Sequence, residues 1–197
     1  MASAVVLAAG ESKRLGMKKE VLPIDGVPMI RQIVGRLLDS KKIDEVVVVL
    51  GAEADEVGTS LAGVLDERLE LVGNARYTEG VGSSIGQGVS ACSWEASPIL
   101  IVPGDTPFFT TDDVDALVDA HSQGARIAVP VLDGRRGHPQ LFDGSYREEL
   151  ESLSGDSGAR DIVEKEGEAV VEVERDDEGF LIDVDTMDDY QAVKAGL

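Results

Sequence analysis

Residues 4–23 read AVVLAAGESKRLGMKKEVLP. The apolar run Ala4–Leu7 leads into the small residues Ala8-Ala9-Gly10, and four cations (Lys13, Arg14, Lys18, Lys19) follow within seven residues. A short apolar run of this kind predicts a strand buried on both faces, and the glycine after it predicts a turn at the strand's carboxyl end. The pattern recurs down the chain. Glu45–Leu50, Leu69–Val72, Pro98–Val102 and Arg126–Val131 are further short β-branched or apolar runs. Between them lie segments with helical spacing: Ile30, Ile33, Val34, Leu37 and Leu38, then Val57, Leu61, Val64 and Leu65, then Val114, Leu117 and Val118. Strand alternating with helix predicts an α/β layered sheet.

After Val131 the rhythm loosens. A strand is expected near His138–Phe142, then two short helices, then strands at Ala169–Glu174 and Phe180–Val184 joined by a hairpin-type turn at Asp176-Asp177-Glu178-Gly179. A final helix from Met187 closes the chain. No repeat, linker or low-complexity tract interrupts residues 1–197, so a single domain is expected.

The chain carries 18 Lys and Arg against 38 Asp and Glu, a formal net charge of −20. The imbalance is uneven. Residues 1–36 hold six cations and three acids, which leaves 12 cations and 35 acids for the rest. Nucleic-acid binding wants a broad basic face, so it is not expected. A small anionic ligand is compatible, because exposed charges more than about 8 Å apart are largely screened at physiological salt. The longest apolar runs, such as Val46–Leu50, are far too short to cross a bilayer, and no export signal precedes the first strand. A cytoplasmic location without membrane contact is the expectation. Cys92 is the only cysteine, which leaves no intramolecular disulfide or cysteine metal cluster and reads as a small filler on a helix.

Ligands in such sheets sit beyond the carboxyl ends of the strands, and four polar clusters fall there. In the first, Ala8-Ala9-Gly10 lets backbone N–H groups approach a ligand, and Arg14 and Lys19 suit phosphate oxygens. The alternative is an ordinary turn with solvated cations. In the second, Asp105 follows the run ILIVP and precedes Thr106-Pro107, where a carboxylate is suited to Mg²⁺. Its alternative, a cap on the helix starting near Thr110, is a job that Thr111 and Asp112 can also do. In the third, alternation along the expected strand puts Asp183 and Asp185 on one face, where either could complete a metal site, although Asp185 or Thr186 could instead cap the last helix.

The fourth cluster is Gly80–Gly88, GVGSSIGQG. It matches GxSxG and GxGxxA, but both motifs require a preceding strand, and a glycine-rich loop stands there instead. Only His121 and His138 could serve a nucleophile as base, and His121 reads as an exposed helix-tail residue.

Taken in order, LAAGxSxRxGxxKxxLP, an Asn followed by GVGSSIGQG, then GDTP, RGHPQLF, GDSGAR and DVDT resemble the molybdenum cofactor cytidylyltransferases, within the MobA-like nucleotidyltransferases. The resemblance spans about residues 5 to 190. Gly137-His138-Pro139 and Gly155–Arg160 narrow it beyond the first motif, which many sugar-nucleotide pyrophosphorylases share. It implies a three-layer Rossmann-like nucleotidyltransferase fold with a mostly parallel, mixed central sheet. In this family LAAG accompanies CTP, whereas LAGG accompanies GTP. Departures from the pattern include Leu15 where Met is usual, Glu20 and Val21 where leucines are usual, and Met187 where Pro is usual.

The implied reaction is attack by the terminal phosphate of molybdopterin on the α-phosphorus of CTP, with pyrophosphate expelled. The resemblance implies that Leu7, Ala8, Ala9 and Gly10 hold the nucleotide, with Asn74 as a contact to the base. Arg14 and Lys19 would hold its phosphates, and Asp105 with Asp183 or Asp185 the Mg²⁺. Ser84, Arg136, Gly137, His138, Pro139 and Arg160 would face the acceptor. His138 could instead only fix the turn before Pro139, and Asp156 and Ser157 could simply cap the helix that follows them. Other phosphorylated acceptors, or a non-catalytic chaperone that delivers the cofactor to a molybdoenzyme, remain the rival readings.

Overall fold

The structure, a computed structural model, describes residues 1–12 and 18–195. The apolar runs form the strands they predict, within one or two residues at each end. The strands are β1 (Ser3–Ala8), a small antiparallel pair β2 (Pro23–Ile24) and β3 (Val27–Pro28), β4 (Glu45–Leu50), β5 (Leu69–Gly73), β6 (Ile99–Pro103), β7 (Ile127–Leu132), β8 (Arg135–Arg136), β9 (Gln140–Phe142) and β10 (Val171–Glu174). The helices are α1 (Met29–Asp39), α2 (Ala54–Leu61), α3 (Val81–Ala91), α4 (Thr111–Ser122), α5 (Arg147–Glu151), α6 (Ala159–Glu166) and α7 (Met187–Lys194).

The main sheet runs β10-β7-β9-β6-β1-β4-β5, with β8 paired to β7. β1 lies parallel to both β4 and β6, with Val5 opposite Val47 and Ile101. β9 runs antiparallel between β6 and β7, and this makes the sheet mixed.

Successive strand residues face opposite sides, so the central strands need apolar residues at every position. Ala4, Val6, Val46, Val48, Leu100 and Val102 meet α1, α2 and α4 on one side. Val5, Val47, Val49, Ile99 and Ile101 meet α3, α5 and α6 on the other. The result is the expected three layers.

Two expectations fail. Phe180–Val184 is not a strand: Gly179–Leu181 makes a short 3₁₀ turn, and no hairpin joins it to β10. The reason is tertiary. β10 takes its partner from β7 in parallel, and buried Phe180 packs into the core beside α4. The backbone N–H of Val184 then donates to the carbonyl of Asp105 at 2.9 Å, which draws this segment to the end of β6.

The glycine-rich loop expected ahead of the two motif matches is helix from Val81 onward, although no strand directly precedes either match. Its glycines are there for close packing. A Cβ at Gly88 would lie 2.3 Å from Val5 Cγ1, and one at Gly82 would lie 2.5 Å from the backbone nitrogen of Ser154. Among the described residues, no helix is long and apolar enough to cross a membrane.

Candidate functional site

The carboxyl ends of β1 and β6 open onto a cavity of about 420 Å³, bordered by the N-terminal ends of α3 and α6 and by β9. Leu7, Ala9 and Gly10 form the β1 side of it, Asp105 the β6 side, and Ser84, His138 and Arg160 the far side. Two further cavities of about 380 and 290 Å³ adjoin it, both bordered by His138 and Arg136.

The turn after β1 is organised by a buried cation. Lys18, 2% exposed, donates through Nζ to the carbonyls of Ala8 at 3.1 Å and Gly10 at 2.6 Å. Its ammonium lies 3.5 Å from Glu20 Oε1, and Glu20 Oε2 accepts from the Ser12 hydroxyl at 3.3 Å. Burial pushes the Glu20 carboxyl up, with Lys18 opposing. The charge of Glu20 therefore pairs closely with Lys18 rather than with Lys19. Sequence reading counted Lys18 only as one of four cations, and adjacency to Lys19 carried no signal that separates the buried one from the one facing the cavity.

Lys19 reaches the cavity. Its Nζ donates to Asp105 Oδ2 at 2.6 Å and to Asp185 Oδ1 at 2.8 Å. Burial opposes its charge, but the two carboxylates outweigh burial and hold its pKa above the usual lysine value. Asp183 borders the 380 Å³ cavity with Asp105. Burial first, and then Asp105, Asp185 and Asp189, push its carboxyl up. The aspartates thus converge without strand alternation. Among the described residues, no group of three or more His, Cys, Asp or Glu is arranged to hold a metal ion. Lys19 sits at the centre of the acidic cluster instead.

The capping alternatives resolve. Thr110 caps α4 in a reciprocal box with Asp113, which leaves Asp105 uninvolved. Thr186, not Asp185, caps α7 in the same way with Asp189. Gly158 occupies the N-cap position of α6, so neither Asp156 nor Ser157 does.

The remaining expected site residues divide. Ser84 borders the main cavity and its hydroxyl accepts from Asn74 Nδ2 at 3.1 Å. Asn74 itself is buried, also donates to Ser83 at 3.0 Å and accepts from the N–H of Arg76 at 2.9 Å; it does not border the cavity. Its amide secures the start of α3 rather than facing a ligand. Gly137 is required by packing, since a Cβ there would lie 2.4 Å from the Phe180 ring and carbonyl. Pro139 is buried behind His138 and borders none of the three cavities, and Ala8 is likewise core.

Arg136 and Arg160 are held by exposed pairs with Glu172 and Glu164, each at 2.7 Å, and remain at the rims. Burial lowers the His138 imidazole to about 4, with Asp105 opposing and Arg160 reinforcing. Arg14 lies outside the described residues.

His121 departs from its expected exposure. Its Nε2 is 3.0 Å from Asp143 Oδ2, and its side chain is 20% exposed. Cys92 is buried, as a filler should be, and burial pushes its thiol up to about 12. Sequence reading also passed over Gln140 and Tyr77, which line the cavity.

A family model described as the MobA-like NTP transferase domain matches residues 4–170, and the chain belongs to that family. It is 34% identical to the nicotine blue oxidoreductase of Paenarthrobacter nicotinovorans, over 93% of this chain and 92% of the relative. It is 31% identical to the purine catabolism protein PucB of Bacillus subtilis, over 98% of this chain and 96% of the relative. Among solved structures, it is similar to a nucleotidyl transferase from Methanothermobacter thermautotroptrophicus (TM-score 0.83, 25% identity, 99% and 96% covered). Rv0371c from Mycobacterium tuberculosis in complex with manganese is also similar (TM-score 0.80, 25% identity, 99% and 98% covered). The function is therefore of the nucleotidyltransferase type, in a family where a divalent metal has been captured.

Proposed function

We propose that this member of the MobA-like family transfers CMP from CTP to the phosphate of a molybdopterin-type acceptor, with Mg²⁺ as the bound cation, and releases pyrophosphate. The observation that carries the reading is the convergence of Asp105 and Asp185 on one ammonium, Lys19, at the mouth of a cavity walled by the turn after β1. Two carboxylates that already share a cation fit a hard divalent ion, which takes one or two protein carboxylates and completes its shell with phosphate oxygens and water. Bound by Asp105 with Asp185 or Asp183, the ion would neutralise the nucleotide phosphates and the departing pyrophosphate.

The chain's own residues position and neutralise. Lys19 and Arg14 offset phosphate charge, and the small residues Ala9 and Gly10 let the nucleotide approach the backbone. An oxygen of the acceptor phosphate attacks the α-phosphorus. The bond to the β-phosphate's bridging oxygen breaks, and pyrophosphate carries away the electron pair. The attacking phosphate is ionised at neutral pH, so no base is required, which suits a site whose one histidine is held neutral.

Ala9, 3% exposed, borders the cavity where LAAG predicts the smaller base. The test incubates the protein with each NTP, Mg²⁺ and molybdopterin, and identifies the product by mass. CTP should give the cytosine dinucleotide and pyrophosphate; equal or better turnover with GTP would remove the CTP assignment. The relative named as an oxidoreductase favours a second reading, in which the same cavity holds a nucleotide for redox chemistry. Binding of CTP without pyrophosphate release would instead support a delivery role toward a molybdoenzyme.

A further inference from the structure

Two buried polar atoms border the site without a hydrogen-bond partner among the described residues: Oε1 of Gln140 and Nδ1 of His138. Gln140 is 4% exposed, stands opposite Ile101 in the β6–β9 ladder, and lines both the 420 and the 290 Å³ cavities. His138 lines the same two. The neighbours of Gln140 in the ladder, Leu141 and Phe142, are fully buried apolar residues, which is what a core strand wants at this position. With no protein group to satisfy it, an amide oxygen there is left for a donor that enters from the cavity. Such a residue is explained by what enters the cavity.

We propose that Gln140, with His138 beside it, binds an uncharged N–H- or O–H-bearing part of the acceptor, separate from the phosphate that attacks. The inference rests on the nucleotidyltransferase reading above. The chemistry follows from the orphaned atom. A carbonyl oxygen accepts and cannot donate, so it repels a phosphate and attracts a donor. Of the cations that suit a phosphate, Lys19 lies on the β1 side, and Arg136 and Arg160, which border the 290 Å³ cavity with Gln140, are held at its rim by Glu172 and Glu164. A neutral imidazole accepts or donates according to tautomer, and so complements a group carrying both kinds of atom. Two sources share this chemistry: the amide-and-amine edge of a fused heterocycle, and the hydroxyls of a sugar.

The test is titration calorimetry of the full chain with Mn²⁺, using pterin for the heterocycle, glucose 1-phosphate for the hydroxyls, and inorganic phosphate as the control. At least one of the two organic probes should bind the wild type. Gln140→Leu should weaken that probe at least tenfold, leave inorganic phosphate and CTP binding within twofold, and hold or raise the melting temperature. The probe that responds names the source. Failure of both organic probes to bind the wild type would overturn the proposal, as would binding unchanged in Gln140→Leu. An equal loss for inorganic phosphate would overturn it too, since Gln140 would then be serving the phosphate. So would a fall in melting temperature in both Gln140→Leu and Gln140→Met, because the amide would then be serving the fold. Absence of CTP binding in the wild type would instead sink the underlying nucleotidyltransferase reading, and is measured separately.

Discussion

Lys19 and Asp105, 86 positions apart in the chain, meet at 2.6 Å with 15% and 23% of their side chains exposed. The contact joins the turn after β1 to the end of β6, two strands that run parallel side by side. It carries the first prediction. Asp105→Asn keeps size and most hydrogen bonding but removes charge from the point where the cation and the phosphates are to be balanced. Pyrophosphate release should fall at least about a hundredfold, roughly 2.7 kcal/mol of transition-state stabilisation. The fold should survive with only a modest loss of thermal stability, because Lys19 keeps Asp185 as a partner and Thr110 rather than Asp105 caps α4. A folded variant with near-normal release would refute the metal role and move it to Asp183 and Asp185.

Lys18 should matter for folding rather than for rate. Lys18→Met removes the donor to the Ala8 and Gly10 carbonyls and leaves Glu20 buried without its cation. Breaking a buried pair from one side typically costs about 3–5 kcal/mol; Glu20 can take up a proton, so a loss of about 3 kcal/mol is expected by denaturant unfolding. Lys18→Met with Glu20→Leu should recover part of it. If the double variant is less stable than the single one, the pair is not what holds the turn.

His138 should leave a mark on the pH dependence of stability. Its folded-state pKa is about 4, below the ordinary value of 6.5, so the unfolded chain binds the proton more readily. Its contribution is present in full above about 6.5, declines as the pH falls from there to about 4, and is constant below. The lowering corresponds to at most about 3 kcal/mol. His138→Gln should flatten this part of the stability profile between pH 6.5 and 4 relative to wild type. Parallel profiles for the two proteins would show that the imidazole is not held neutral.

The acidic surface yields a prediction on salt. A chain of net charge −20 repels itself in its compact state, and added ions screen that repulsion. The melting temperature should rise between dilute buffer and molar KCl. A flat or falling dependence would show that self-repulsion does not limit the stability of this fold.

Local patterning was enough for the layers. The strands β1, β4, β6 and β7 are apolar at nearly every position, and only a sheet covered on both faces can bury such runs, so period and composition carried them. The turn after β1 and the carboxylate at the end of β6 were legible for the same reason, since strand ends are marked by where apolar runs stop. Other features were decided by contacts between distant segments. Whether residues 180–184 form a strand depended on what lay beside them: β10 was already paired to β7, and Asp105 offered Val184 a carbonyl. Gly80–Gly88 became a helix because its glycines let α3 settle onto Val5 and the 153–155 turn, an advantage invisible without those neighbours. Lys18 and Lys19 are chemically identical and adjacent, yet one is buried against carbonyls and the other bridges two carboxylates, one from mid-chain and one from near the C-terminus. Burial and partner choice are properties of the folded surroundings, and no spacing along the chain encodes them.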